Sequence, residues 1–154
     1  MDRARRAGLT ALLLVVMVAT PASPGEPPAL AASVGWATST LVLSEVQTGG
    51  ASASDEFVEI ANQGASSIDL VGLELVYATA SGSTITRKAA WDATTELQPG
   101  RRLLVANSSG VFAGLADAGY SGGFAATGGA LALRVIGGSV VDSIGWGDAT
   151  NGFV

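Results

Sequence analysis

The sequence has 154 residues, a formal net charge of −5, and neither cysteine nor histidine. Without those two residue types the chain cannot build a Ser-His-Asp triad, a Cys-His pair, an ordinary zinc site or a disulfide. The negative charge disfavours nucleic acid as a partner, since affinity for DNA comes largely from Lys and Arg side chains that neutralise phosphates.

Residues 1–31 have the layout of a secretory signal peptide. Three arginines within the first six residues precede a short apolar run at 8–19, and Ala29-Leu30-Ala31 supplies an A-x-A cleavage pattern. The apolar run is shorter than the roughly 20 residues that span a bilayer. We expect cleavage after Ala31, although a cut nearer Ala22 suits the apolar run equally well. The product is then secreted or held at the cell surface, without membrane contact after cleavage.

The mature chain is expected to be a short linker followed by one β-rich domain. Cleavage after Ala31 removes three of the eight basic residues and two of the thirteen acidic ones, which brings the net charge to about −6. Residues 32–40 are assigned to the linker and 41–154 to the domain. The domain consists of short β-forming runs separated by Gly, Ser and Asn.

Seven strands are predicted, at about 41–46, 56–62, 67–78, 83–88, 102–107, 130–136 and 140–146. No long segment has the 3.6-residue period of a helix, and a single helical turn is predicted at 110–116, inside a long loop at 107–129. Seven strands in this length are typical of an immunoglobulin-like β-sandwich. We therefore predict an all-β fold of that type, preceded by the signal peptide.

The predicted strand 56–62 carries an acid on each face. Side chains alternate along a strand, so Glu56 shares a face with Val58 and Ile60, whereas Glu59 shares the other with Phe57. Whichever face is buried, one carboxylate points toward apolar neighbours. That carboxylate needs hydrogen-bond partners inside the fold.

Five short motifs follow one another in a fixed order after residue 40. They are Leu43-Ser44-Glu45-Val46, Glu56-Phe57-Val58-Glu59-Ile60-Ala61-Asn62, Ile68-Asp69-Leu70-Val71-Gly72-Leu73-Glu74-Leu75, Leu97-Gln98-Pro99-Gly100 and Val141-Asp142-Ser143-Ile144-Gly145-Trp146-Gly147. This order resembles the lamin tail domain in the form found in secreted bacterial proteins, except that Leu73 takes the place of the usual Trp.

The resemblance implies an immunoglobulin-like sandwich with no cofactor and no catalytic residues. The motif residues to which it gives structural roles are Glu45, Glu56, Phe57, Glu59, Asn62, Gly72, Pro99, Gly100, Asp142, Trp146 and Gly147. It also implies a further segment after the Trp-Gly turn. We therefore expect the domain to be truncated at Val154 and to be either marginally stable or self-associating.

Calcium is a more open question than zinc, because it requires only carboxylate and carbonyl oxygens on loops. Asp55, Glu56 and Glu59, or Asp148 with Asn151, could contribute, but neither set has the dense spacing of a dedicated calcium loop. The favoured interpretation is structural, with Asp55 capping a loop, Glu56 solvated and Glu59 hydrogen-bonded. No metal site is predicted.

The tryptophans and the basic pairs are the remaining candidates for a contact surface. Trp91, in a predicted loop, is the candidate contact residue, whereas Trp146 is assigned to the core and Trp36 to one end of the sandwich. The basic pairs Arg87-Lys88 and Arg101-Arg102 are interpreted as solvated strand ends.

The function expected from these features is that of a non-catalytic interaction or structural module of an exported protein. Its partner is an unknown protein or a surface polymer. The alternative is an ancillary domain of a secreted enzyme, such as a nuclease or phosphoesterase, whose catalytic part is not in this chain.

The signal-peptide assignment predicts the N-terminus of the mature protein. Protein recovered from the medium of a secreting host should begin at Ala32, as measured by mass spectrometry of the N-terminal peptide. Secreted protein that still carries Met1 would contradict the assignment, and a membrane-retained form would indicate an anchor instead.

Overall fold

Short strands make up almost all of the regular structure in residues 39–154, the part of the chain that the computed structural model describes. Ten strands occur in this range: β1 Leu41–Thr48, β2 Glu56–Asn62, β3 Ile68–Asp69, β4 Leu73–Thr79, β5 Ile85–Ala90, β6 Glu96–Leu97, β7 Arg102–Asn107, β8 Ala118–Tyr120, β9 Gly128–Val135 and β10 Val140–Gly147. Within it, no helix has the length and apolar character needed to cross a membrane. The predicted signal peptide, most of the predicted linker and Trp36 lie outside the described residues.

Two four-stranded sheets face each other. Their strand orders are β1-β2-β7-β8 and β10-β9-β4-β5, and every neighbouring pair is antiparallel except β7 and β8. The inner faces contribute fully buried side chains such as Val58, Ile60, Leu75, Leu131 and Leu133. Burial of this apolar surface is the main force that holds the two sheets together. The predicted immunoglobulin-like β-sandwich is confirmed.

The predicted strand at 67–78 is wrong in one respect, because a tight turn divides it. The Leu73 amide donates to the Leu70 carbonyl at 2.9 Å, and Gly72 has φ +80°, a conformation that side chains with a Cβ disfavour. The first piece is β3, which pairs with β6 as a separate two-stranded ribbon, and the second is β4. The short strand β6 was not predicted, because two residues carry no detectable alternation.

The long connection after β7 contains more structure than the sequence indicated. The predicted helical turn is a 3₁₀ turn at Ala113–Leu115, and the unpredicted strand β8 follows it. Tyr120 and Phe124 are buried in the core between the sheets, rather than packed on an outer edge. Their burial draws this connection into the sandwich, where it closes the side formed by β8 and β5.

The opposite side of the sandwich is closed by a side chain of the last strand. The Leu43 amide of β1 donates to Asp142 Oδ2 of β10 at 2.7 Å. Strand β1 has a bulge between Leu43 and Glu45, where the regular pairing with β2 is interrupted. The Asp142 carboxylate accepts the hydrogen bond of the Leu43 amide at this bulge. The Asp142 side chain thus connects the two sheets on this side.

Residues 148–154 pack on the outer face of the second sheet. Asn151 Nδ2 donates to the Thr79 carbonyl at 3.1 Å, and Ser143 Oγ donates to the Phe153 carbonyl at 2.7 Å. The Val154 side chain occupies the space where a Cβ on Gly145 would lie. The expected truncation, with its marginal stability or self-association, remains a prediction.

Two glycines of the motifs provide a matched test of the turns. Gly100 (φ +71°) and Gly147 (φ +61°) are both left-handed, but a Cβ on Gly147 would lie 1.8 Å from the Thr127 carbonyl oxygen, whereas a Cβ on Gly100 meets open space. Gly100→Ala should therefore destabilise the domain by about 1 kcal/mol, through backbone strain alone. Gly147→Ala should cost about 3 kcal/mol or more, because the backbone must also move. Urea denaturation measures both, and equal effects would contradict the packing described around Gly147.

Candidate functional site

A buried carboxylate lies at the start of β2, between the two sheets. Glu56 is 1% exposed and faces the core with Val58 and Ile60. Its Oε1 accepts the Phe124 amide at 2.7 Å, and its Oε2 accepts Asn107 Nδ2 at 3.1 Å. The expectation that one acid of this strand needs internal partners is confirmed, whereas the interpretation of Glu56 as solvated is wrong. The carboxylate tolerates burial because strong donors replace water.

Lys88 enters the same space from the opposite sheet. It is the extra residue of a bulge in β5, since Leu75 pairs with Ala89 and Val76 with Arg87. The bulge turns the side chain inward, so that Lys88 is 8% exposed. Its Nζ donates to the carbonyls of residues 121–123 at 3.3 to 3.4 Å. The interpretation of Lys88 as a solvated strand end is therefore wrong.

Aromatic rings surround the ammonium group of Lys88. Nζ lies 5.5, 5.0 and 5.3 Å from the ring centroids of Tyr77, Tyr120 and Phe124. Burial lowers the pKa of Lys88, and the negative charge of Glu56 opposes that shift only in part. Cation–π attraction offsets some of the cost of desolvating the charge.

Tyr120 brings a buried hydroxyl group to this site. Its hydroxyl lies near the Glu56 carboxylate but makes no hydrogen bond with any group of residues 39–154. Burial, followed by the charge of Glu56, raises the pKa of Tyr120 far above its usual value. The phenol therefore stays protonated at any physiological pH. We refer to Glu56, Lys88, Asn107 and Tyr120 as the interior cluster.

A second group of charges lies on the outer face of the β4 sheet. Glu74 is 2% exposed and accepts Arg87 Nε on one carboxylate oxygen and Arg134 Nε, at 2.8 Å, on the other. Desolvation raises the pKa of Glu74, but the two guanidinium groups more than compensate, so the net pKa is lowered. Arg87 is thus half exposed yet paired, rather than free in solvent.

A groove opens beside the β3–β6 ribbon and the edge of β7 and β8. Its volume is about 460 Å³, and Trp91, Leu97 and Leu103 line it together with Arg101 and Asp117. Trp91, the predicted contact residue, is 7% exposed and packs in the core cluster. It cannot act as an exposed aromatic platform, but it contributes to the wall of the groove.

Several motif residues fix turns. Asn62 is fully buried: its Nδ2 donates to the carbonyls of Ser66 and Leu97 at 2.8 Å, and its Oδ1 accepts the Gly64 amide at 2.9 Å. Pro99 precedes the left-handed Gly100, whose amide donates to the Asn62 carbonyl at 2.8 Å. One buried amide side chain therefore connects two motifs that are distant in sequence.

The other motif residues fix contacts on the faces and edges of the sheets. Glu59 faces outward and pairs with Arg102 at 3.1 Å, so it is the hydrogen-bonded acid that was expected. Phe57 packs edge-on against Phe112, with ring centroids 4.9 Å apart. Trp146 is half-buried rather than fully buried, and its Nε1 donates to the Ala125 carbonyl at 2.8 Å.

Asp55 and Glu45 are the remaining acids with predicted roles. Asp55 caps its loop as expected, because Oδ2 accepts the Ser52 amide at 2.8 Å and Oδ1 accepts the Val111 amide at 3.1 Å. Glu45 is exposed on β1 beside the bulge. In residues 39–154 the fold brings together no group of three or more acids that could hold a metal ion.

The motif residues thus occupy the turns, edges and buried polar positions of one sandwich. The family model of the lamin tail domain matches residues 36–148. This chain belongs to the lamin tail domain family. The lamin tail domain is a non-catalytic, immunoglobulin-like module. No curated protein is significantly similar to the chain.

Sequence reasoning missed two residues of the interior cluster. Lys88 is the single lysine of the chain and follows Arg87. Two adjacent basic residues are typical of a solvated strand end, and the pair was interpreted in that way. The bulge that turns Lys88 inward has no signature in the sequence. Asn107 had no predicted role, since it lies where a predicted strand meets a predicted loop, although its amide is buried against Glu56.

The pairing of Glu74 predicts a pH dependence of stability. Because the pKa of Glu74 is held below its usual value of 4.5 in the folded domain, its stabilising contribution is present above that pH and is lost as the pH falls through the folded-state pKa. Glu74→Gln should cost about 1 to 2 kcal/mol at pH 7, between the values for exposed and buried ion pairs. Thermal melts from pH 7 to 3 should converge for the two proteins in acid, and a constant difference would contradict the role of the ion pairs.

Proposed function

We propose that this lamin tail domain is a non-catalytic interaction module of an exported bacterial protein, and that the groove beside the β3–β6 ribbon holds its partner. The partner is a protein or a polymer of the cell surface, and not a nucleic acid. The observation that carries the proposal is the composition of that groove, which combines apolar walls with charges of both signs. Mixed surfaces of this kind suit protein or polysaccharide contacts.

The charged groups elsewhere in the domain support this choice of surface. Glu56, Lys88 and Glu74 are already engaged in internal hydrogen bonds. In contrast, Arg101 lies exposed at the groove that Trp91 also lines, and Asp117 is exposed there as well, with its Oδ2 accepting the Leu104 amide at 2.8 Å. A ligand in the groove would meet polar groups that can orient it and an aromatic wall that can pack against it.

The amino-terminal sequence supports export. A basic start, a short apolar run and an A-x-A triplet are the three features that a secretory signal needs. The absence of cysteine fits a bacterial envelope, where small domains are not required to carry disulfides. We assign the domain to the cell surface or the medium on these grounds.

Binding to isolated cell envelopes of the exporting organism tests the role of the groove. Arg101→Gln should weaken that binding about tenfold, since it removes a charged group from the groove, whereas Thr86→Ala, an exposed change at the end of β5 that lies far from Trp91, should leave it unchanged. A co-sedimentation assay with the fluorescently labelled domain measures both dissociation constants.

Two outcomes would contradict this assignment. Equal weakening by both variants would show that the groove is not the contact surface. The second outcome is a wild-type domain that does not bind to cell envelopes but binds to a catalytic domain encoded in the same reading frame. This result would favour the alternative, an ancillary domain of a secreted nuclease or phosphoesterase.

A further inference from the structure

We propose that the interior cluster joins the two sheets covalently, by an amide bond between Lys88 Nζ and Asn107 Cγ that forms after folding with loss of ammonia. Lys88 is the nucleophile, the Asn107 carboxamide is the electrophile, and Glu56 transfers the protons. The reaction is intramolecular and requires no oxidant, cofactor or second protein. It is independent of the partner proposed for the groove.

The surroundings of Lys88 favour an uncharged, reactive amine. Nζ is buried among three aromatic rings and makes no ion pair with a carboxylate of residues 39–154. Its hydrogen bonds to three carbonyls are long, at 3.3 to 3.4 Å. Burial lowers the pKa of Lys88, so a larger fraction of the side chain is neutral than in water. Desolvation is a known way to make a lysine nucleophilic.

Asn107 lies beside that amine and is polarised at both ends of its carboxamide. Asn107 Nδ2 and Lys88 Nζ both donate to the Gly122 carbonyl, at 3.3 and 3.4 Å, so the two groups are neighbours. The backbone amide of Ser109 donates to Asn107 Oδ1 at 3.0 Å. This donor would stabilise negative charge on Oδ1 as the carbonyl is attacked.

Glu56 occupies the position that a proton carrier needs. Its Oε2 accepts Asn107 Nδ2, the nitrogen that must leave, at 3.1 Å. Its Oε1 is held by the Phe124 amide at 2.7 Å, which fixes the orientation of the carboxylate. A carboxylate fixed in this way can take a proton from one nitrogen and deliver a proton to the other.

The steps balance without an external reagent. Lys88 first loses its third proton to solvent, and the free electron pair of Nζ attacks Asn107 Cγ while the carbonyl pair moves to Oδ1. Once Nζ is bonded to Cγ it shares that carbon with Nδ2, and Glu56, whose Oε2 already contacts Nδ2, takes one proton from Nζ and delivers it to Nδ2. The carbonyl re-forms, the Cγ–Nδ2 bond breaks, and ammonia leaves and takes up a proton from solvent as ammonium. The product is a secondary amide between β5 and β7.

Mass spectrometry of the intact, folded protein tests the proposal. The wild-type protein should be lighter than its sequence mass by one ammonia, about 17 Da. Trypsin should fail to cleave after Lys88 and should release a branched peptide that joins residues 88–101 to 103–134. Lys88→Met, Asn107→Ala and Glu56→Gln should each have the full sequence mass.

An Asn-Gly pair makes a control necessary, because Asn151-Gly152 can also lose ammonia by forming a succinimide. Asn151→Gln removes that route and should leave the mass deficit unchanged. A wild-type protein of full mass, with Lys88 cleaved normally by trypsin, would overturn the proposal whether or not the variants fold. A deficit that persists in Lys88→Met or disappears in Asn151→Gln would overturn it equally.

Discussion

A carboxylate buried between two apolar sheets imposes the main constraint on this structure. Glu56 cannot remain charged in the core unless donors replace the water it loses, and the chain supplies them from Asn107 and from the Phe124 amide. Asn107 is the last residue of β7, and the Phe124 amide comes from the connection around β8, which has little regular structure of its own. The carboxylate thus fixes the position of this connection, and with it the aromatic rings that complete the core.

The two sides of the sandwich are closed by different chemistry. Where β1 meets β10, the Asp142 carboxylate accepts a hydrogen bond from the Leu43 backbone amide. Where β5 meets β8, Lys88 reaches across to the carbonyls that follow β8. Exposed strand edges tend to associate with other chains, and side chains that cross between sheets limit that tendency. The proposed amide bond would make the second closure permanent.

The sequence was informative wherever the signal was local. Alternation located the principal strands, and the five motifs identified the lamin tail domain and its turns. The sequence was uninformative where a single residue changes the local backbone. The bulge at Lys88 buried a side chain that was predicted to be exposed, and the turn at Gly72 divided a predicted strand. Trp91 failed as an exposed contact because it lies in the core, where its backbone pairs with Gly72 and Leu73 after the turn that the sequence did not reveal.

The claim that Glu56 organises the sandwich is tested most directly by hydrogen exchange at one backbone amide. The Phe124 amide lies outside every strand, so its protection depends on the hydrogen bond to Glu56 rather than on a sheet. Amide exchange measured by NMR should show Phe124 protected as strongly as the central strands in the wild-type domain, and exchanging far faster in Glu56→Leu, which removes the acceptor. A Phe124 amide that exchanges as fast as its loop neighbours in the wild-type domain would contradict the account.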